Sequence, residues 1–501
     1  MAVNKVGKEW TKQDTLKSGF LFFMHFIILA LICGVLVLWN QRNNLIQHFQ
    51  TVGANYIYAL FCAMMLVFIM YLYFFFENKN TLSTGKNIAL VFAILEISFL
   101  LSWIIGERID RYARPIAFAA LMASSLIGRR EAIFINIINS LLVFIADTFV
   151  GGISAESEYY SSLMISFSAG ALAIFLCEKA KTRFHIVGVG IIIVIPIDLI
   201  IMMLGLPDLV SGAMADMSVW TNIFREAGYG LLGGVASAIL FLTVLPIFEI
   251  IFNCLTVYRL RELTSPDAKI LKEMKREAPG TYIHSTVVAQ LAEASAAAIG
   301  ENVDVARAAA MYHDVGKLHY PEHFTENQGN GYNVHDELTP ELSADIIRSH
   351  AKDGYTLIKN HKLPDFLADV ALQHHGTMPI RYFYAKALKM TDGELNIEDY
   401  SYLGPKPQTK IAAIIMIADA AEAAVRAVNA KKPEEAEKSI RGIIEERMDL
   451  EQFSECEITM VDLTRIRQAL VSALTGVHHH RVKYPNIKYK RTENGTKGEN
   501  V

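Results

Sequence analysis

Long apolar stretches separated by short polar turns run as far as Asn253, after which apolar positions recur at helical spacing. The apolar stretches are Phe20 to Trp39, Tyr56 to Phe76, Asn87 to Gly106, Ala132 to Val150, Ser161 to Cys177, His185 to Leu206 and Gly228 to Phe252. A bilayer core takes about 20 helical residues to cross, so each is a membrane-span candidate. A shorter run, Pro115 to Ile127, lies between the third and the fourth. Counting it as a crossing gives eight. The first span is too long for a cleaved signal peptide, and no small-residue cleavage site follows it.

Loop charge supports that count. With eight crossings, one set of loops carries Lys5, Lys8, Lys12, Lys17, Lys79, Lys86, Arg129, Arg130, Lys179, Lys181 and Arg183. The other carries Arg42, Arg108, Arg111, Arg114 and Arg225. Positive charge collects on the cytoplasmic side, which puts both ends of the membrane region in the cytoplasm. Glu96, Asp147, Asp198 and Glu249 interrupt the apolar runs. Such groups are costly in lipid and face the bundle interior, either as a sensing site or as interhelical hydrogen-bonding partners.

Past the last span, Arg259 and Arg261 suit a headgroup flank, and Ser265-Pro266-Asp267 reads as a helix start. That helix is expected to reach Pro279-Gly280. A second runs through Val287 to Ile299 and stops at Gly300, and a third spans Val303 to about Lys317. No sustained two-residue alternation occurs, so the fold class is all-α. The expected organisation is a membrane domain over 1–252, an amphipathic connector over 253–280, a soluble domain over 281–485 and a disordered tail over 486–501.

The net charge of −4 gives no sign of a nucleic-acid-binding protein. The five cysteines are scattered without a CxxC pair, which argues against both a disulfide framework and a zinc ribbon.

What the soluble half does carry is a set of metal donors: His284, His313-Asp314, His350, His374-His375 and Asp419. Five imidazoles and two carboxylates suffice for two cations, and a carboxylate with two oxygens is the natural bridge. Asp314 fits that role, beside His313 in ARAAAMYHDVGK. Lys317, three residues on, is either a phosphate ligand or a helix-end lysine. His350 shares a helical stripe with Ser343, Ile346 and Ile347; His374 and His375 end an apolar run before Gly376. Asp419 lies in the apolar helix TKIAAIIMIADAAEAAVR, where a lone carboxylate would be expensive and a cation would offset the cost. Arg426 is read as a phosphate or base contact, or as a salt-bridge partner of Glu422. Tyr382 and Tyr384 either stack on a base or pack a core. His335-Asp336 falls in a Gly/Asn-rich loop and His478-His479-His480 near the C-terminus; neither is taken as a ligand.

With these residues in place, the soluble half resembles the HD-domain hydrolases, and more narrowly the seven-transmembrane HD-domain phosphodiesterases that hydrolyse cyclic di-AMP. The resemblance rests on APGTYIHS, YHDVGK, FTENQ, the HDELTP loop, SADIIRSH followed by DG, QHHGT, YFY, GPKPQTK, IADAAEAAVR and HHRVKYP, in family order between Ala278 and Pro485. It implies a polytopic helix bundle followed by a cytoplasmic all-helical HD domain in a bacterial inner membrane. The family's ligands fall on His284, His313, Asp314, His350, His374, His375 and Asp419. One departure is plain: only about fifteen residues, from Asn40 to near Asn55, separate the first two spans, where family members carry a sizeable extracellular domain. The double histidine precedes Gly376-Thr377, without the acid and GYP sequence of cyclic-di-GMP enzymes.

The expectation is therefore a metal-dependent phosphodiesterase that opens cyclic di-AMP to the linear dinucleotide. Two divalent ions, manganese or iron, would sit on His284, His313 and Asp419 and on His350, His374 and His375, with Asp314 between them. The alternatives are an HD hydrolase of another cyclic dinucleotide or nucleotide, and a non-catalytic membrane receptor for one. The lipid bilayer is a partner, a nucleic-acid polymer is not, and a homodimer is an assembly the sequence allows.

Overall fold

A computed structural model describes residues 10–40, 45–149, 156–180, 182–210, 217–329, 333–391, 393–428 and 433–476. The expected tail over 486–501, the His478–His480 triplet and the closing HHRVKYP phrase lie outside them. Among the described residues the only pairing of β type is an isolated bridge between Pro379 and Ser401, so the chain is all-α.

The membrane half comprises α1 (Lys12–Asn40), α2 (Leu45–Glu77), α3 (Lys79–Leu82), α4 (Gly85–Arg108), α5 (Phe118–Leu126), α6 (Arg129–Phe149), α7 (Glu156–Lys179), α8 (Arg183–Ile192), α9 (Val194–Val210) and α10 (Met217–Phe252). Among the described residues seven spans are long and apolar enough to cross a membrane: those in α1, α2, α4, α6, α7, the α8–α9 pair and α10. This is a multi-pass membrane protein.

The short run is α5. Its nine residues rise only about 14 Å, less than half a bilayer core. Yet the segment around it connects opposite ends of the bundle. Arg114, just before it, forms a two-point ion pair with Asp147 near the C-terminal end of α6, at 2.7 Å for both bonds. Arg129, just after it, starts α6 about 27 Å away along the axis. Wrapped by α4, α6, α7 and α10, α5 is buried from Phe118 to Ala123. Its length keeps α5 out of the set of helices long enough to cross alone, whereas the sequence pattern counts it as an eighth crossing.

Three of the four intramembrane acids have partners. Asp147 also accepts from Ser162, Glu96 meets His25 at 2.9 Å, and Glu249 accepts from Thr256. Asp198 faces Gly230 with its Oδ1 buried and unpartnered.

The soluble half comprises α11 (Val257–Leu263), α12 (Lys269–Glu277), α13 (Pro279–Ile299), α14 (Val303–Tyr312), α15 (Pro340–Asn360), α16 (Asp365–Gln373), α17 (Arg381–Leu388), α18 (Lys410–Val428), α19 (Pro433–Asp449) and α20 (Met460–Gly476). Three expected helix limits are corrected, the second helix beginning at Pro279 and not Val287. Ser265 to Asp267 form a turn, with the Asp267 N–H on Ser265 Oγ, and the helix begins at Lys269. The third helix ends at Tyr312, not Lys317. Gly316 there passes so close to α15 that a Cβ would lie 1.9 Å from the His350 carbonyl, and the chain tightens into a 3-10 turn over Val315–His319.

Helix α11 belongs to both halves. Tyr258 packs in the membrane core and donates to the Ala180 carbonyl at 2.9 Å, while Leu260 joins the core of the soluble half. The Leu263 carbonyl in turn accepts from the Tyr312 hydroxyl at 2.9 Å, so the connector touches the residue that precedes His313.

Candidate metal centre

Five helices deliver the donors, with Asp314 and His375 just past the ends of two of them. His284 lies on the second turn of α13, Asp419 midway along α18 and His350 midway along α15. His313 and His374 occupy the C-cap positions of α14 and α16. A helix end leaves carbonyls without intrahelical partners, and here imidazoles take them. His313 Nδ1 lies 2.6 Å from Ala310 O and His374 Nδ1 2.7 Å from Ala371 O. His350 makes the same bond three residues back, to Ile347 O at 2.5 Å.

Those bonds set the chemistry. A carbonyl oxygen only accepts, so Nδ1 carries the proton in each ring and the Nε2 lone pair is left facing the centre. Two such lone pairs, on His350 and His374, face each other at 3.2 Å. His313 Nε2 and Asp314 Oδ1 are buried without a hydrogen-bond partner. Buried acceptors crowded together without donors are costly, and a cation among them removes the cost. The donor set therefore fits a metal.

Asp314 stands between two groups of donors. Its Oδ2 faces His313 Nε2 at 3.3 Å and His284 Nε2 at 3.6 Å. Its Oδ1 faces His350 Nε2 at 3.3 Å and His374 Nε2 at 3.5 Å. Two sets able to hold an ion result: Asp314 with His350, His374 and His375, and Asp314 with His284 and His313. Asp419 Oδ1 lies 3.0 Å from His284 Nε2, and its Oδ2 lies 3.9 Å from His375 Nδ1. All seven residues singled out from the sequence converge.

Electrostatics keep most of them in ligand form. Despite its burial, Asp314 is held well below the carboxylate range, chiefly by the Lys317 ammonium and then by His313. Asp419 is likewise lowered against its burial, mainly by His284. Burial pushes the His350 imidazole down to about 3 and His375 well below its ordinary value. His284 differs: burial opposes its charged form, but the Asp419 and Glu422 carboxylates raise it to about 10. Anionic carboxylates and neutral rings are the forms that bind metals.

The surrounding residues divide less evenly. Lys317 Nζ sits 2.7 Å from both Asp314 Oδ2 and Glu326 Oε1, so it is part of the site and not a helix-end lysine. The exposed Arg426 guanidinium pairs with Glu422 Oε1 at 3.2 Å. Glu422 Oε2 accepts from His284 Nδ1 at 3.0 Å and orients that ring. Tyr382 is exposed, and Tyr384 packs beside Tyr400 with its hydroxyl on Leu395 O. Tyr402 stacks on His375 at 4.2 Å between ring centres. It stands in a loop without periodicity, so nothing in the pattern marked it. Glu422 was marked by its place three residues after Asp419, and Glu326 only by the FTENQ phrase. His335 is buried but bonds the His323 carbonyl, away from the donors.

Comparison with known proteins follows the same division of the chain. An HD-domain family model matches residues 281–424, and a model described as "7TM receptor with intracellular HD hydrolase" matches 54–256. The cyclic-di-AMP phosphodiesterase PgpH of Bacillus subtilis is 36% identical over 415 residues, 83% of this chain and 57% of that protein. The protein of the same name from Listeria monocytogenes is 40% identical over 374 residues, 75% of this chain and 50% of that one. The chain thus spans about half the length of the curated relatives it matches. A crystal structure of the Listeria PgpH HD domain in complex with cyclic di-AMP is 47% identical, with a TM-score of 0.41 over 43% of this chain and 99% of that one.

Proposed function

Because the chain belongs to the membrane-bound family of seven-transmembrane proteins with an HD hydrolase domain, we propose that it is a metal-dependent phosphodiesterase acting on cyclic di-AMP. The observation that carries this reading is the double exposure of Asp314, with one oxygen toward each group of histidines. In this reading His284, His313 and Asp419 hold one divalent ion, His350, His374 and His375 the other, and Asp314 both. Mixed imidazole and carboxylate donors suit manganese or iron. When bound, such ions acidify water and neutralise charge on a phosphoryl group.

The chain's own residues do the rest. Nδ1 bonds to backbone carbonyls keep three rings from rotating, so their lone pairs are in place before any ligand arrives. Lys317 offers its ammonium to a phosphate oxygen. Tyr402 offers a face beside His375 against which a nucleotide can lie. Hydrolysis adds water across one phosphorus–O3′ bond, the 3′-oxygen leaves with a proton, and the ring opens to 5′-phosphoadenylyl-adenosine.

The soluble half is assigned to the cytoplasm of a bacterial cell. Support comes from the cationic loops at the end of the bundle where α11 emerges: Arg183 pairs there with Glu262, and Arg130 with Glu77. The purified full-length chain in lipid nanodiscs, given cyclic di-AMP and cyclic di-GMP with Mn²⁺ or Fe²⁺, is expected to open the adenine dinucleotide. Preference for the guanine one would overturn the substrate assignment.

A further inference from the structure

The Lys317 side chain is held by more than Asp314. Its Nζ lies 2.7 Å from Glu326 Oε1 and 5.0 Å from the centre of the Phe324 ring, which is itself buried edge-on against His350. Phe324 and Glu326 belong to one short segment fixed to the start of α13. Asn327 Oδ1 accepts from the Thr281 N–H at 3.2 Å and its amide donates to Thr281 Oγ1 at 2.8 Å. Thr281 Oγ1 donates to Glu326 Oε1 at 3.3 Å. Gly280 lets the two segments meet, since a Cβ there would fall 1.9 Å from the Glu326 carbonyl. The cradle is thus anchored on the helix that carries His284.

We infer that Glu326 is a positioning residue that keeps the Lys317 ammonium at the edge of the donor cluster, aimed at a phosphate oxygen of the substrate. The inference rests on the function proposed above. Lys317 now shares Asp314 Oδ2 with His284 and His313. A cation that takes this oxygen withdraws one of the lysine's two anionic partners and adds positive charge beside it. Glu326 is then the carboxylate that still holds the ammonium, while Phe324 supplies a cation-binding face. Without it, a four-carbon stem with free rotamers turns outward.

The test is a double-mutant cycle on the Mn²⁺-loaded full-length chain, with affinity for a non-hydrolysed phosphorothioate analogue of cyclic di-AMP read by calorimetry. Glu326→Gln is expected to weaken analogue binding by ~10-fold, the size of one charged hydrogen bond. It is expected to change binding less than about 2-fold in a Lys317→Met background, because the two act through one ammonium. Manganese stoichiometry of Glu326→Gln should match the wild type, and KM should rise more than kcat falls. Loss of one manganese per chain would make Glu326 a ligand and overturn the inference. So would an undiminished effect in the Lys317→Met background, or no effect in either. Failure of the wild type to bind the analogue would instead strike at the proposed function.

Discussion

The Lys317 ammonium lies 2.7 Å from Asp314 Oδ2, on the oxygen that also faces His284 and His313. In the metal-free protein it serves as the counter-ion of a carboxylate that is almost wholly buried. Uncovering a buried charge by removing its partner costs about 3–5 kcal/mol. Lys317→Met is therefore expected to lower the melting temperature strongly in chelator and much less in Mn²⁺. Equal losses under both conditions would show that lysine and metal do not share Asp314.

Glu422 fixes the His284 ring by accepting from Nδ1 at 3.0 Å, and Arg426 braces Glu422 from outside. Outer carboxylates of this kind change metal affinity by about 10–100-fold. Calorimetry of Glu422→Gln should find manganese binding weakened within that range, with a smaller effect for Arg426→Ala. Unchanged affinity in Glu422→Gln would remove Glu422 from the site.

Gly316 is required by contact, not by conformation. A Cβ would meet the His350 carbonyl at 1.9 Å and the Gly354 amide at 2.5 Å, both backbone. Gly316→Ala must push α15 away and is expected to cost about 3 kcal/mol or more. Thermal unfolding should show a drop of several degrees, together with weaker metal binding as His350 moves. A wild-type melt would contradict the close approach.

In the bundle, Arg114 and Asp147 form a buried pair that includes Ser162. Breaking one side costs more than replacing both. Arg114→Leu alone should therefore destabilise the chain in nanodiscs more than Arg114→Leu combined with Asp147→Leu. The reverse order would mean that the pair is not buried together.

Much of this was legible in the sequence. Each metal donor stood beside an apolar helix that aimed it, and seven of the eight expected crossings have the length and hydropathy of a span. Helix limits were less legible. Val315 to Lys317 are compatible with a helix locally, and only the contact of Gly316 with α15 ends it. Tyr402 depends wholly on tertiary folding, because its loop is placed by hydrogen bonds such as Tyr402 N–H to Met378 O and carries no period of its own. Arg426 had two chemically sound partners, and the structure shows one of them, Glu422, at 3.2 Å.

The two-sided placement of Asp314 is tested most directly by counting metal on the full-length chain. Elemental analysis after loading with Mn²⁺ and desalting should give two ions per wild-type chain. In Asp314→Ala at least one should be lost and cyclic di-AMP turnover should fall to background, with the helical content retained. A wild type that turns over with a single ion, or an Asp314→Ala variant that keeps both ions and its activity, would contradict the account.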